Sequence, residues 1–348
     1  MPANSVFGIN GFGRIGRTAF RVWWLYHRDE FQLRLINTSG SMEIDEWVHL
    51  LKFDSNYGVM TEAIEVTKLQ SKDQVSDTNP LLGFIKIGVH QIGVTAQRDP
   101  KKIPWTEHQV KTVIESTGAF TKTEKAAWHL EAGAEKVIVS APTKGEGGEM
   151  YVIGVNQNQP TKKIRSNASC TTNCVAPVAQ VISDKFGVLK AMMTTVHSYT
   201  DDQNVQDNSH KDMRRARAAA ENIIPTSTGA ATATAKVIPE LKGIFDGLAI
   251  RVPTPVGSLS DMTFLLKKNV TIDEVNQALI DASLDPRYQG ILAVTKLPIV
   301  SSDVIGRRES SIVDLSLTNV VGENLVKIIS WYDNEWGYCN RLIEQIGL

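Results

Sequence analysis

Few cysteines, no long apolar run and almost no net charge characterise this sequence. Its 348 residues include only three cysteines, an odd set too small for a disulfide framework, so we expect a reducing, cytoplasmic environment. No basic stretch precedes an apolar one near the first residues, and no segment offers about 18 uncharged apolar residues, so we expect neither a signal peptide nor a transmembrane helix. The net charge of −1 argues against nucleic acid or a membrane as a partner.

Low complexity, internal repeats and flexible linkers are also absent, and the 42% hydrophobic and 22% charged residues are typical of globular proteins. At about 100–200 residues per domain, the length predicts two domains. In the first part, short β-rich runs alternate with helical ones, which is typical of βαβ units around a parallel sheet. Strands are predicted at 6–10, 31–37, 110–116 and 136–140, and helices at 14–26 and 123–131.

The pattern changes after Cys170, because strands follow one another with helices between only some of them. This second part therefore indicates an α+β arrangement with a mainly antiparallel sheet. Apolar residues near helical spacing in 334–348 predict a terminal helix packed on a domain. The strands of the second part are predicted at 191–197, 248–252, 262–267, 312–317 and 325–331.

Three glycines, Gly11, Gly13 and Gly16, form a G-x-G-x-x-G pattern directly after a predicted strand and at the start of a predicted helix. In the dinucleotide-binding fingerprint, the first glycine permits a tight turn, the second lets a pyrophosphate approach the backbone, and the third lets helix and strand pack closely. The N–H groups of the helix then point at the phosphates. The pattern predicts a doubly wound Rossmann domain that binds a dinucleotide; a glycine-rich turn without a ligand is the alternative.

The acidic residue that usually follows about 20 residues later, and binds the adenosine ribose, is missing. The second strand ends at Thr38 and Ser39, and the nearest carboxylates, Glu43 and Asp45, come several residues too late. Without a carboxylate nothing repels a ribose 2′-phosphate, and the Thr38 and Ser39 hydroxyls could donate hydrogen bonds to one. This favours NADP as the cofactor. The alternative is that Thr38 is a neutral turn residue and both NAD and NADP bind.

Cys170 lies in a run of small polar residues, 166–174, that leads into an apolar stretch, as at the start of a capped helix. Near a helix N-terminus the dipole favours the thiolate, and a neighbouring histidine would lower the thiol pKa further. Cys174, four residues on, is predicted to be buried and structural. No second half-site accompanies the cysteines, so no metal is expected. The alternative for Cys170 is an inert buried thiol.

Among seven histidines, His197 is the leading candidate for a general base, because it stands at the end of a predicted apolar strand where a side chain can reach a cleft. A cysteine nucleophile needs a base to take its proton. A hydride acceptor in the same cleft would add an oxidation step.

Six segments resemble phosphorylating glyceraldehyde-3-phosphate dehydrogenases, in order and at matching spacing over essentially the whole chain. The segments are 9–17 (INGFGRIGR), 166–174 (SNASCTTNC), 196–200 (VHSYT), 218–229 (AAAENIIPTSTG), 251–255 (RVPTP) and 331–338 (WYDNEWGY). The resemblance implies that Cys170 attacks the aldehyde to give a hemithioacetal, with His197 as base. Hydride then passes to the nicotinamide, and inorganic phosphate attacks the thioester to give 1,3-bisphosphoglycerate, in a reversible reaction of glycolysis and gluconeogenesis.

Binding roles follow from the same resemblance. Thr200 and Arg251 would hold the phosphate of the substrate, although a purely structural Arg251 is the alternative. The inorganic phosphate would be held by Ser169, Thr171, Thr228 and Gly229. For the cofactor, the implied contacts are Arg14 and Ile15 with the pyrophosphate, Arg98 and Ser140 with the nucleotide more generally, and Asn334 with the nicotinamide amide. A homotetramer is also implied.

Departures from the family pattern concern the cofactor and local contacts. Members that prefer NAD carry aspartate where Thr38 stands and typically proline where Ser209 stands, so both positions favour NADP. Thr232 replaces the usual lysine, and residues 256–260 also differ from the usual segment. Two other activities stay open: an erythrose-4-phosphate dehydrogenase, and a redox-sensing regulator that binds cofactor without catalysis. The basic run 211–217 offers weak support for RNA binding.

The sequence therefore predicts an α/β protein with an N-terminal doubly wound Rossmann domain and a second α+β, mainly antiparallel catalytic domain. The Rossmann domain is predicted over residues 1–169 and the catalytic domain over 170–333. The terminal helix, 334–348, is expected to return to the cofactor domain.

Overall fold

The computed structural model describes residues 5–156 and 158–348, which divide into two compact units. The first unit contains the chain up to Tyr151, Gln159–Ala168 and Cys339–Leu348, and the second contains Val152–Asn158 and Ser169–Tyr338. The roles predicted for residues 1–169, 170–333 and 334–348 stay a prediction. Among the described residues, none forms a helix long and apolar enough to cross a bilayer.

A nine-stranded mixed sheet forms the centre of the first unit. Its strands are β1 (Ser5–Asn10), β2 (Phe31–Asn37), β5 (Ile64–Lys68), β6 (Leu81–Ile87), β7 (His90–Thr95), β8 (Thr112–Glu115), β9 (Lys136–Val139), β10 (Glu149–Met150) and β11 (Ile164–Ser166), while β3 (Phe53–Asp54) and β4 (Gly58–Val59) form a separate small hairpin. The spatial order is β10-β11-β9-β8-β1-β2-β7-β6-β5. Strands β10 to β7 run parallel, and β6 and β5 are antiparallel additions at one edge.

The parallel strands are buried on both faces, as expected where helices cover a sheet on each side. Every residue of β8 is buried, and Trp105 packs with Leu35 and Val113 in one of the core clusters. The α-helices that lie wholly in this unit are α1 (Arg14–Val22), α2 (Ile44–Lys52), α3 (Thr123–Ala126) and α4 (Trp128–Glu131).

Three predicted elements of the first unit differ in detail. The helix predicted at 14–26 is α1 followed by a π-helical turn, Trp23–His27. The helix predicted at 123–131 is two short helices that meet at Ala127. The strand predicted at 110–116 is shorter, because the N–H of Val110 donates to the Trp105 carbonyl in a turn, 2.8 Å, instead of joining the sheet.

The second unit contains an eight-stranded sheet in which antiparallel pairs predominate. The strands are β12 (Val188–Ser198), β13 (Ile224–Ser227), β14 (Phe245–Val252), β15 (Ser258–Leu266), β16 (Leu292–Thr295), β17 (Ser311–Asp314), β18 (Asn319–Val321) and β19 (Leu325–Tyr332). Their order is β13-β14-β12-β15-β19-β17-β16, with β18 beside β19, and only the pairs β12–β14 and β16–β17 in this part of the described chain are parallel. With the mixed sheet of the first unit, this confirms the predicted fold class.

Helices α5 (Cys170–Phe186), α6 (Ala230–Val237) and α7 (Ile272–Leu284) pack on the strands of the second unit, and α8 (Trp336–Glu344) follows β19. Strand β15 alternates strictly between buried and half-buried residues, because one face of the sheet lies under the helices. The strand predicted at 312–317 is wrong beyond Asp314. There the Asp314 carboxylate accepts the Ser316 N–H, 3.2 Å, and begins a 3₁₀ turn.

Candidate active site

Cys170 and His197 lie in contact at the end of strand β12. Helix α5 begins at Cys170 because Ser169 caps it, with its hydroxyl oxygen accepting the Thr172 N–H at 3.0 Å. His197 is the last residue but one of β12 and is buried. The Cys170 Sγ and the His197 Nε2 are 3.4 Å apart, so the structure brings together the two residues proposed as nucleophile and base.

The hydrogen bond made by Nδ1 of His197 determines whether Nε2 carries a proton. His197 Nδ1 lies 2.6 Å from the carbonyl oxygen of Ser198. A carbonyl can only accept a hydrogen bond, so Nδ1 carries the proton and the lone pair of Nε2 faces the Cys170 sulfur. This tautomer is the one required to take a proton from the thiol.

The surroundings of the pair disfavour charge on either residue alone. Dense packing around the sulfur raises the pKa of the Cys170 thiol, although the Arg251 charge and hydrogen bonds from Thr171 act in the opposite direction. Burial, with Arg251 adding to it, lowers the pKa of His197 to about 4. The expected fall in the thiol pKa is therefore not found, because loss of solvation outweighs the helix N-terminus. Burial thus acts against charge on each member of the pair.

Tyr332, which the sequence analysis did not single out, connects the two elements that carry the pair. Its hydroxyl lies 2.9 Å from Thr171 Oγ1 and 2.8 Å from Thr195 Oγ1. Its ring meets the His197 ring edge to face, with centroids 6.0 Å apart. Tyr332 thus links the start of α5 to β12, and no spacing rule in the sequence could have indicated this link.

Arg251 and Thr200 also meet, beside His197. Arg251 is the direct partner of His197 in the parallel pair β12–β14, and its guanidinium donates to Thr200 Oγ1 and, at 3.2 Å, to Gln203 Oε1. Asp202, which sequence reasoning missed, lies 3.6 Å from the same guanidinium. Burial opposes its ionisation, but the Thr200 hydroxyl and the Arg251 and Arg215 charges hold the pKa of Asp202 below its usual value. A phosphate that binds to Arg251 would therefore replace the Asp202 carboxylate beside the guanidinium.

The four residues predicted for inorganic phosphate lie at two helix starts. Ser169 and Thr171 are at the N-terminus of α5, where their hydroxyls contact Thr172 and Tyr332 respectively. Thr228 and Gly229 precede α6, and Thr228 Oγ1 accepts the Ala230 N–H at 3.2 Å. That these residues share one ligand stays a prediction.

A cavity of about 450 Å³ in the first unit opens beside the glycine turn. Gly11 has a positive φ of 94°, and a Cβ at Gly16 would lie 2.1 Å from the Gly11 carbonyl oxygen. A Cβ at Gly13, in contrast, would meet nothing within 4 Å. The tight turn, the open approach and the close helix packing of the dinucleotide fingerprint are thus all present, and the cavity fits a nucleotide. Its walls include Asn10, Gly11, Phe12, Gly13, Asn37, Thr38, Ser39, Trp47, Gln97, Arg98, Ser116, Thr117, Ala119 and Phe120.

Thr38 is buried in this wall and its hydroxyl is already engaged. Thr38 Oγ1 donates to the Thr95 carbonyl, 3.1 Å, and accepts the Gly40 N–H at 3.3 Å. The expectation that this hydroxyl could donate to a 2′-phosphate is therefore wrong. Ser39 and Arg98 are exposed and line the cavity, and no carboxylate is among the described residues that form its walls.

The remaining predicted cofactor residues are spread over both units. The Arg14 guanidinium donates twice to Asp54, at 2.9 and 3.1 Å, so its side chain faces the β3–β4 hairpin. Ile15 is half-buried in α1, and Ser140 follows β9. Ser209 and Asn334 belong to the second unit, where Ser209 is in an exposed loop and Asn334 is buried, its Oδ1 accepting from Gly257 and Ser258. Their contacts with a cofactor stay a prediction.

The fold of the first unit and its glycine turn define the class as a dinucleotide-binding protein of the Rossmann type. A family model described as the NAD binding domain of glyceraldehyde 3-phosphate dehydrogenase matches residues 6–123, and a model of the C-terminal domain of the same enzyme matches residues 169–334. The chain belongs to the glyceraldehyde-3-phosphate dehydrogenase family.

Curated relatives match along nearly their whole length. Glyceraldehyde-3-phosphate dehydrogenase 2 of Trichormus variabilis is 48% identical over 97% of this chain and 96% of its own. The glyceraldehyde-3-phosphate dehydrogenase of Geobacillus stearothermophilus is likewise 48% identical, with the same coverage. That of Mycobacterium leprae is 47% identical over 98% of this chain and 97% of its own.

The glycines of the turn should respond differently to alanine. We expect Gly16→Ala to lower the free energy of unfolding by about 1–3 kcal/mol, because its Cβ has no room. Gly13→Ala should change stability by less than about 1 kcal/mol yet weaken cofactor binding roughly tenfold or more, because the methyl group fills the open approach. Urea denaturation and calorimetric titration measure the two effects. Wild-type affinity for the cofactor in Gly13→Ala would show that the phosphates do not bind at this turn.

Replacing His197 should make the thiol of Cys170 less reactive. Asparagine cannot take a proton, so we expect His197→Asn to slow alkylation of Cys170 by iodoacetamide near neutral pH and to shift its pH midpoint up by about one unit or more. Cys174 and Cys339 are buried, and Cys170→Ser provides the background rate. An unchanged pH profile of alkylation would show that His197 is not the base.

Proposed function

We propose that this protein oxidises glyceraldehyde 3-phosphate to 1,3-bisphosphoglycerate, reversibly, with NAD(P)⁺ as hydride acceptor and inorganic phosphate as second substrate. The observation that carries the proposal is the 3.4 Å contact between Cys170 Sγ and the unprotonated Nε2 of His197. Family membership supports it, and so does the nucleotide-sized cavity beside the glycine turn.

In the first step His197 Nε2 takes the thiol proton, and the Cys170 sulfur attacks the aldehyde carbon. The proton then passes to the carbonyl oxygen, which gives a neutral hemithioacetal. Because Cys170 is the first residue of α5, the positive end of the helix lies next to the developing negative charge and stabilises it.

Oxidation then removes a hydride from the former aldehyde carbon. A bound nicotinamide nucleotide supplies the hydride acceptor. As the hydride leaves, His197 accepts the hydroxyl proton, and the product on Cys170 is a thioester. Phosphate oxygen attacks that thioester, the Cys170 sulfur leaves, and His197 returns its proton to the sulfur. One His197 nitrogen therefore moves a proton in each step.

The two phosphates need separate binding sites, and the proposal assigns them to separate groups. Arg251 and Thr200 hold the phosphate of the substrate, which takes the place of Asp202 as partner of the guanidinium. Ser169, Thr171, Thr228 and Gly229 hold the inorganic phosphate at the starts of α5 and α6.

For the cofactor we propose a preference for NADP. Gly11, Gly13, Gly16, Arg14 and Ile15 form the turn and helix start that receive the pyrophosphate. The support for a 2′-phosphate is the charge of Arg98, the exposed Ser39 hydroxyl and the lack of a carboxylate among the described residues of the cavity wall. Thr38 contributes through its neutrality, since its hydroxyl is engaged elsewhere. The proposal also includes contacts of Ser140, Ser209 and Asn334 with the cofactor.

We further propose that the protein is a cytoplasmic homotetramer. The face of the second unit's sheet opposite its helices exposes apolar side chains, with Met192 66% and Leu248 43% exposed. Such a face fits a second copy of the chain. Light scattering on the purified protein should give about four times the chain mass of 38.3 kDa. A monomer mass would contradict the proposal.

The activity is tested by initial rates with glyceraldehyde 3-phosphate against NAD and NADP in parallel, each with and without inorganic phosphate. We expect a rate that requires phosphate and a higher kcat/KM with NADP. Thr38→Asp should reverse the cofactor preference by roughly tenfold or more, because the new carboxylate repels a 2′-phosphate. Cys170→Ser should abolish oxidation and leave cofactor binding measurable.

Each part has its own contrary result. A clear preference for NAD would refute the NADP assignment. A rate independent of phosphate would refute the phosphorolysis step. Loss of cofactor binding and folding in Cys170→Ser would make Cys170 structural, and a better rate with erythrose 4-phosphate would assign a different substrate.

A further inference from the structure

Buried polar side chains connect the carboxyl ends of four parallel strands under the cofactor cavity. Thr95 Oγ1 donates to Asn37 Oδ1 at 2.9 Å, Asn37 Nδ2 donates to Asn10 Oδ1 at 2.8 Å, and Asn10 Nδ2 donates to Glu115 Oε2 at 2.5 Å. These residues end β7, β2, β1 and β8, and each is at most 3% exposed. Asn10 and Asn37 also line the cavity.

Glu115 ends this chain of side chains and accepts four hydrogen bonds. Its Oε2 accepts from Asn10 Nδ2 and from His129 Nε2, the latter at 2.9 Å. Its Oε1 accepts from both the N–H, at 2.8 Å, and the hydroxyl of Thr117. Two donors on each oxygen suit a carboxylate, which only accepts, whereas an amide would place its NH₂ against two donors.

His129 is fixed as a donor by its other neighbour. Its Nδ1 accepts the Trp105 indole N–H at 3.1 Å, and an indole can only donate, so the ring proton is on Nε2 and points to Glu115. Both side chains are fully buried. A neutral imidazole and an indole therefore support the carboxylate from the side away from the cavity.

Thr117 connects the Glu115 carboxylate to the cavity wall. Its hydroxyl accepts the Ala119 N–H at 3.1 Å, so one carboxylate orders the start of the loop formed by residues 116–120. Four residues of that loop line the cavity. The loop also crosses the glycine turn closely, because a Cβ at Gly11 would lie 2.7 Å from the Thr117 nitrogen.

We propose that Glu115 is a positioning residue of the nucleotide site, with His129 as its supporting donor. Glu115 is 1% exposed and lies behind the wall, so it acts through Asn10, which directly precedes the glycine turn, and Thr117, which lies close to Gly11. The proposal rests on the proposed function in one respect, namely that the cavity is where the nucleotide binds.

The test uses the full chain and calorimetric titration with NAD and with NADP. Glu115→Gln should raise both dissociation constants about tenfold or more, because its amide cannot satisfy four donors and the wall must shift. His129→Leu should have a smaller effect in the same direction. In steady-state rates the KM for the cofactor should rise more than kcat falls, and alkylation of Cys170 should be unchanged.

Two further variants separate positioning from general damage. Ile85→Ala removes buried side-chain volume from β6 in the same unit without touching the network, so it should lower stability and leave both dissociation constants unchanged. Glu115→Asp keeps an acceptor-only carboxylate opposite the same donors and should retain more affinity than Glu115→Gln.

Wild-type affinity in Glu115→Gln, with weakened binding in Gly13→Ala, would overturn the inference and leave the nucleotide site in place. Wild-type affinity in both variants would overturn the inference together with the proposed location of the site. An equal loss of affinity in Ile85→Ala would reduce the role of Glu115 to stability, and that result also overturns the inference.

Discussion

The sulfur of Cys170 faces His197 because helix α5 begins at that residue. Cys170 is the first helical residue, so the direction of its side chain depends on the cap at Ser169. The Ser169 hydroxyl fixes the start by accepting the Thr172 N–H. Tyr332 then fixes the helix against β12 through hydrogen bonds on both sides. The proposed nucleophile, the proposed base and the helix N-terminus beside them all depend on this one capped turn.

Local patterns predicted the elements that local interactions determine. The strand Phe31–Asn37 was predicted residue for residue, because a β-rich run bounded by polar residues leaves little choice. The strand predicted at 312–317 failed at its end, where a side chain competes with the ladder. Asp202, Tyr332 and Glu115 were missed for another reason. Their roles depend on partners brought close by the tertiary fold or on side-chain direction, and neither follows from hydrophobic periodicity.

The proposed preference for NADP rests on charge more than on new hydrogen bonds. Thr38 follows β2 at the position where the resemblance implies an aspartate in members that prefer NAD, and its hydroxyl donates inward to the Thr95 carbonyl. In the proposed preference Thr38 therefore acts by carrying no negative charge, while Arg98 supplies a positive charge in the cavity wall. A sequence shows that the carboxylate is missing. It does not show which way the hydroxyl that takes its place will point.

Two buried neutral histidines illustrate how a second neighbour decides the chemistry of an imidazole. In His197 the Ser198 carbonyl accepts from Nδ1, so Nε2 has a free lone pair and faces a thiol. In His129 the Trp105 indole donates to Nδ1, so Nε2 carries the proton and faces a carboxylate. When a neighbour accepts a hydrogen bond from one ring nitrogen of a neutral imidazole, the other nitrogen has a free lone pair and can act as a base. When a neighbour donates to one nitrogen, the other nitrogen carries the proton and acts as a donor. In the roles proposed here, the same type of side chain moves protons in the second unit and supports the cavity wall in the first.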